Sequence, residues 1–191
     1  REGKSILFGL GHQFNWELAN AILSRLTAYP ILVLYAPISW KPFERVFQRL
    51  RTRFGARFFN ATELLPLIKA IKAEQTLTVL VADQSPSNME AALWTTFFHR
   101  PTPFHPGLEH LARTTGATVV FVEFIQVQRG RYRAVFWPQE PINIKANPGA
   151  LTASYARFME DSIRRQPENY LWAHRRWKNS HRYAEFADKT T

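Results

Sequence analysis

The chain has 191 residues, 46% of them hydrophobic, and 25 Lys and Arg against 15 Asp and Glu give it a formal net charge of +10. Such a length and composition describe one globular domain able to bury a core, not a disordered chain. The lack of cysteine excludes disulfides, thiolate-held zinc and a cysteine acyl-enzyme, and the positive charge calls for an anionic partner: nucleic acid, an acidic membrane surface, an acidic carrier protein or a phosphorylated substrate.

SILFGLG (5–11) reads as a buried strand. From Asn15 to about Tyr29 the apolar residues Trp16, Ala19, Leu23 and Leu26 follow the helical period, and Pro30 closes the segment. ILVLY (31–35) is a second strand. Pro42 then opens a basic amphipathic helix, FERVFQRLRTRF, closed by Gly55. ARFF is a short strand, ATELLPLIKAIKAEQ a helix and LTVLVA (77–82) another strand, which runs into the polar loop DQSPSN. PGLEHLARTTG (106–116) is a helix capped by Gly116. ATVVFVEFIQVQRGRYRAVFW is two strands joined at Arg129–Gly130. NPGALTASYARFMEDSIRRQ is a long helix with Asn147 as its cap, and PENYLWAHRRWK and a polar end follow. Strand and helix alternate through the first two-thirds. That predicts an α/β fold: a mixed, mostly parallel central sheet flanked by helices, with a late antiparallel hairpin, in a single domain over 1–191.

No apolar run reaches the roughly 18–20 residues of a membrane helix, and there is no signal-peptide pattern. The chain opens on Arg1 and passes at once into a strand-like segment, so we expect an upstream portion. There is no internal repeat and no low-complexity segment.

His12 falls at the carboxyl end of the first strand, where catalytic groups of α/β sheets gather, and Glu17 falls in the first turn of the next helix. A histidine so placed can act as a general base, held in one tautomer by the carboxylate. Chance alone also produces a His–x4–Glu spacing. GxSxG and HExxH are both absent, which leaves no serine elbow and no zinc-protease helix. A His base that activates the substrate's own hydroxyl fits better than a covalent acyl-enzyme. His99, His105 and His110 lack a carboxylate partner set, so no metal is expected. Asp83–Gln84 ends the apolar strand LTVLVA and should open on the same rim as His12; a plain turn is the alternative. RLRTR (49–53) sits on the second, basic helix, where a solvated charged face is the ordinary reading. HRRWK (174–178) carries Arg175, Arg176 and Trp177. Its composition suits an interfacial membrane belt, a nucleic-acid surface or a tail packed inward by its aromatics.

These blocks, in this order, resemble the bacterial lipid A biosynthesis acyltransferases, the late acyltransferases of lipopolysaccharide assembly. The resemblance rests on GHQFNWE, YAPISWKPFERVFQRLRTRFG, VADQSPSN, FFHRPTPFHPGLEHLARTTGATVVFV and, most specifically, PENYLWAHRRWK. It implies a glycerolipid-acyltransferase-like fold and transfer of a fatty acyl chain from a thioester of acyl carrier protein, or of CoA, to a hydroxyl of a phosphorylated glycolipid acceptor, a lipid A precursor or a related glycolipid or aminolipid. It implies His12 and Glu17 as catalytic residues and Arg49, Asp83, Arg51, Asn15 and Gln84 as substrate-binding residues, with no cofactor. It further implies work at the cytoplasmic face of the inner membrane, against anionic lipid, behind an N-terminal membrane anchor upstream of Arg1. The rival from another class is a basic module that binds nucleic acid or anionic lipid without catalysis; it leaves the His12–Glu17 pair and the Asp83 loop unexplained, and no nucleic-acid partner is expected.

Overall fold

A strand followed by a helix returns the chain to the same end of a sheet, so the alternation in the first half of this sequence gives parallel strands. The computed structural model describes residues 3–13, 16–144 and 146–186. In chain order it places β1 (Ile6–Leu10), α1 (Trp16–Leu26), β2 (Ile31–Tyr35), α2 (Lys41–Thr52), β3 (Arg57–Asn60), α3 (Leu64–Ala73), β4 (Leu77–Val81), β5 (Leu93–Phe97), β6 (Arg100–Phe104), α4 (Gly107–Thr115), β7 (Thr118–Gln128), β8 (Arg131–Pro138) and α5 (Ala150–Arg165), with short 3-10 turns at Pro167–Asn169 and Ser180–Glu185. β1 to β4, β7 and β8 form one sheet of order β3-β2-β4-β1-β7-β8. Its strands run parallel except for β8, which pairs antiparallel with β7. The turn between them is Arg129–Gly130, with Gly130 at φ 75°, as its residue type allows. The mixed, mostly parallel sheet with a late hairpin is the architecture expected from the sequence.

Side-chain alternation along the strands builds two cores. Leu7, Leu32, Leu80, Val119 and Phe121 face α3, α4 and α5, where Leu67, Leu111, Tyr155 and Met159 meet them. Phe8, Leu10, Val33, Val79, Val120 and Val122 face the other way, toward Ala19 and Leu23 of α1. β1 is the crowded centre. A side chain in place of Gly9 would press on Leu108 and Phe121, and one in place of Gly11 would run into the Met159 thioether.

Two local readings are corrected. α5 begins at Ala150 with Gly149, at φ 85°, as its cap residue; Asn147 instead accepts the Ala150 N–H through its carbonyl, 3.2 Å away. The Asn147–Pro148–Gly149 turn needs a residue at positive φ before the helix can start, and Gly149 supplies it. The second correction is a separate antiparallel hairpin, β5–β6, in a stretch where the sequence predicts no element. Its two turn residues are Phe98 and His99, both at positive φ (49° and 60°). Bulky residues there are strained, and the hairpin holds them by contact: the Phe98 N–H donates to Glu160 Oε1 at 2.6 Å, and Arg164 lies over the Phe98 ring.

Candidate active site

β1 and β4 are neighbours in register, Leu10 beside Val81, so the residues just past each strand emerge together at the carboxyl end of the sheet. Those residues are Gly11–His12 and Ala82–Asp83. The ladder continues one step further, with the Ala82 N–H on the Leu10 carbonyl at 3.2 Å. The buried Tyr155 hydroxyl donates to that same carbonyl from α5, at 2.7 Å. On the far side, the His12 carbonyl accepts the Leu171 N–H at 3.0 Å, and Gln13 bridges to Tyr170. The backbone from Leu10 to Gln13 is thus held on both sides of His12 by groups distant in sequence.

Asp83 is 1% exposed and spends both oxygens on His12. Oδ1 lies 2.6 Å from the ring Nδ1, and Oδ2 accepts the His12 backbone N–H at 3.1 Å. Burial alone would push the Asp83 carboxyl up, but the ring hydrogen bond, the His12 charge and the backbone N–H outweigh it and hold the acid below its usual range. An ionised Asp83 can only accept, so Nδ1 carries a proton, and in the neutral ring the lone pair is on Nε2. A ring in that state has the tautomer and the orientation of a general base.

Around this pair the protein stacks further polar groups. The guanidinium of Arg176 is 2% exposed; it sits 4.2 Å over the Phe104 ring and donates to Ser85 Oγ at 3.2 Å. Burial lowers its pKa to about 10 in spite of the partial support of Tyr170, Asp83 and Tyr155. Burial and the Asp83 charge both raise the Tyr170 phenol. Burial lowers His105, with a further push from the Arg176 charge.

His12 opens on a cavity of about 950 Å³, at the upper end of the roughly 300–1,000 Å³ usual for small-molecule pockets. Val33, Leu34, Leu80, Ala82, Leu93 and Leu108 make much of its wall; Arg51, Gln84, His105, His110 and Arg113 supply polar points. Arg51 is buried and lies against the rings of Tyr35, Phe47 and Phe58. Among the described residues no three His, Asp or Glu gather as a metal-binding set.

The structure therefore joins His12, Asp83, Gln84 and Arg51 at one place. Arg49 is exposed on α2 and is not part of the cavity wall. Glu17 belongs to the first turn of α1, but its side chain, like Asn15 altogether, lies outside the described residues. The partner seen on Nδ1 is Asp83, a residue the sequence suggested for substrate. Within HRRWK, Arg175 is exposed, Arg176 is buried and Trp177 is half-buried; the Trp177 Nε1–H points at the Phe97 carbonyl at 3.3 Å. The segment packs inward at these two residues. Sequence reasoning missed Tyr155 and Ser85, which carry no pattern of their own and matter only through the fold.

A buried carboxylate behind a histidine, at the carboxyl rim of a parallel sheet and facing a largely apolar cavity, is an arrangement suited to acid–base chemistry. The chain belongs to the family described as bacterial lipid A biosynthesis acyltransferase, which matches residues 1–179; it is accordingly an acyltransferase. No curated protein matches the chain.

Proposed function

We propose that this acyltransferase moves a fatty acyl chain from an acyl carrier protein thioester to a hydroxyl of a lipid A precursor. His12 Nε2 takes the hydroxyl proton as the oxygen attacks the thioester carbonyl. Asp83 keeps the ring in register and offsets the imidazolium charge. The tetrahedral intermediate then expels the pantetheine sulfur, and the proton held on Nε2 goes to that sulfur, so the enzyme returns to its starting state. The oxyanion is met by backbone N–H groups at the start of α1, the helix that follows His12 in the chain. The apolar cavity takes the acyl chain, and Arg51 in its wall meets the acceptor's phosphate. Glu17 acts as a second carboxylate that offsets developing positive charge; the orienting role belongs to Asp83.

The observation that carries this reading is the doubly held His12 at the mouth of an apolar cavity. It is tested by carrier-dependent transfer to a phosphorylated glucosamine acceptor. Purified His12→Ala should show no transfer above background while melting as a folded protein; wild-type-like turnover by that variant overturns the mechanism. The rival of a basic binding module predicts no transfer by the wild type and salt-sensitive retention on DNA.

A further inference from the structure

α2 carries a face that the fold does not use. Of its twelve residues only Arg51 is buried. Phe43, Val46 and Leu50 are spaced i, i+3, i+7 and so lie on one stripe; Val46 is 53% and Leu50 54% exposed. Trp40, 66% exposed, stacks on Phe43 just before the helix. Arg45, Arg49 and Arg53, spaced i, i+4, i+8, form a second row beside the stripe, and all three are exposed. The acid of this helix, Glu44, is turned away to the Tyr35 hydroxyl and the Ile38 N–H. Like charges four residues apart weaken a helix in water. An apolar stripe left in water gains none of the stabilisation that burial would give it. A surface that is apolar within and anionic at its edge relieves both at once.

We infer that α2 is the seat of this protein on an anionic lipid bilayer, with Phe43, Val46 and Leu50 sunk among the acyl chains and Arg45, Arg49 and Arg53 at the headgroup phosphates. The helix is about 18 Å long at 1.5 Å per residue, and a surface-lying helix of this pattern buries its apolar face in the headgroup–acyl boundary. Trp40 adds an aromatic at the level where such rings settle. Tyr35, Ala36 and Arg51, the residues that lead into and underlie α2, belong to the cavity wall. The rim of the His12 cavity therefore adjoins the membrane face, and a lipid acceptor enters without crossing water. HRRWK, another basic and aromatic segment, keeps Arg176 buried and Trp177 half-buried against the protein, so these two residues do not face a bilayer.

The inference extends the acyl-transfer reading, but its test uses no substrate. The intact protein is co-sedimented with vesicles of phosphatidylcholine alone or mixed with phosphatidylglycerol. Wild type should bind the mixed vesicles and detach as salt rises, because exposed charges are screened over about 10 Å at 0.1 M. Val46→Glu/Leu50→Glu should weaken binding by about tenfold or more, since two aliphatic contacts become charges in the interface. Arg45→Gln/Arg53→Gln should weaken it only on anionic vesicles, whereas Arg175→Gln/Lys178→Gln should leave it unchanged. His12→Ala should bind as wild type does, which separates this result from any failure of the catalytic proposal. Trp40 gives a check independent of folding: vesicles containing a brominated lipid should quench it in wild type, and Trp40→Phe should remove that part of the quenching. Unchanged binding by Val46→Glu/Leu50→Glu, or loss of binding in the Arg175/Lys178 pair instead, overturns the inference. So does a result in which the α2 variants keep vesicle binding and lose only binding to acyl carrier protein, since the face would then be a carrier dock.

Discussion

Asp83→Asn tests the carboxylate behind His12 with little other disturbance, because it replaces one oxygen by an NH2 group and changes almost no volume. In the wild type the carboxylate accepts from the ring at 2.6 Å and from the backbone N–H at 3.1 Å. An amide can satisfy only one of these with its oxygen. If the oxygen stays on Nδ1, the NH2 faces the His12 N–H, donor against donor. If the amide turns over, its NH2 faces Nδ1 and forces the proton onto Nε2, which removes the base. In either arrangement the imidazolium formed during transfer loses the counter-charge in direct contact with its ring, that of Asp83. Two unit charges about 4 Å apart at an effective dielectric of about 20 interact by about 4 kcal/mol, or roughly a thousandfold in rate. We therefore expect Asp83→Asn to lower the rate of acyl transfer by about 10²–10⁴-fold. Single-turnover transfer from a carrier thioester measures the chemical step directly, and a thermal melt in the same buffer shows that the domain persists. A variant within about threefold of wild type would mean that Asp83 does not set the state of the ring, and the general-base assignment would fail with it.

The same carboxylate shapes the response to acid. Its folded pKa is depressed, so its contribution to stability is present above the unfolded value of about 3.9 and is lost as pH falls through the folded one. The gap in melting temperature between wild type and Asp83→Asn should thus be steady near neutrality and close below about pH 4; an equal gap in acid and at neutrality contradicts the assignment. Gly11→Ala should cost roughly 1–3 kcal/mol by overpacking against Met159, and in a Met159→Ala background the cost should shrink; additive melting shifts would show that the clash is absent. Arg176→Ala should lower stability by about 2 kcal/mol or more, because a buried stem and its ring contacts are lost, while Arg175→Ala, one residue earlier and exposed, should stay within about 0.5 kcal/mol of wild type; equal denaturation midpoints for the two would refute the inward packing.

How much of this was legible in the sequence depends on the range of the interaction concerned. The parallel sheet could be read because its signals are local: β-branched and leucine-rich runs of five residues, amphipathic helices between them, and Gly55, Gly116 and Gly130 at turns where φ is 90°, 68° and 75°. His12 and Asp83 could each be placed at a rim for the same reason, since each ends an apolar run. Their bond could not be read, because strand order decides it. β1 and β4 are separated in the chain by two strands and three helices and become neighbours only in the order β3-β2-β4-β1. Spacing along the chain favoured Glu17, five residues away, over Asp83, 71 residues away. The β5–β6 hairpin was illegible for a different reason. A two-residue turn with both φ values positive is normally announced by Asn–Gly or a similar pair, and proline within a run argues against a strand. Here Phe98–His99 makes the turn, and β6 carries Pro101 and Pro103. Tertiary contacts to Glu160, Arg164 and Trp177 supply what the local sequence withholds. Arg176 follows the same logic. Arginine is almost never fully buried unless paired, so a run of HRRWK reads as surface. It is buried because the rings of Phe97 and Phe104 form a floor for the guanidinium, and the carboxylate of Asp83 lies close enough to act on its charge. A segment that looks like a membrane belt by composition becomes the wall behind the His12–Asp83 pair, while α2 leaves an amphipathic face exposed.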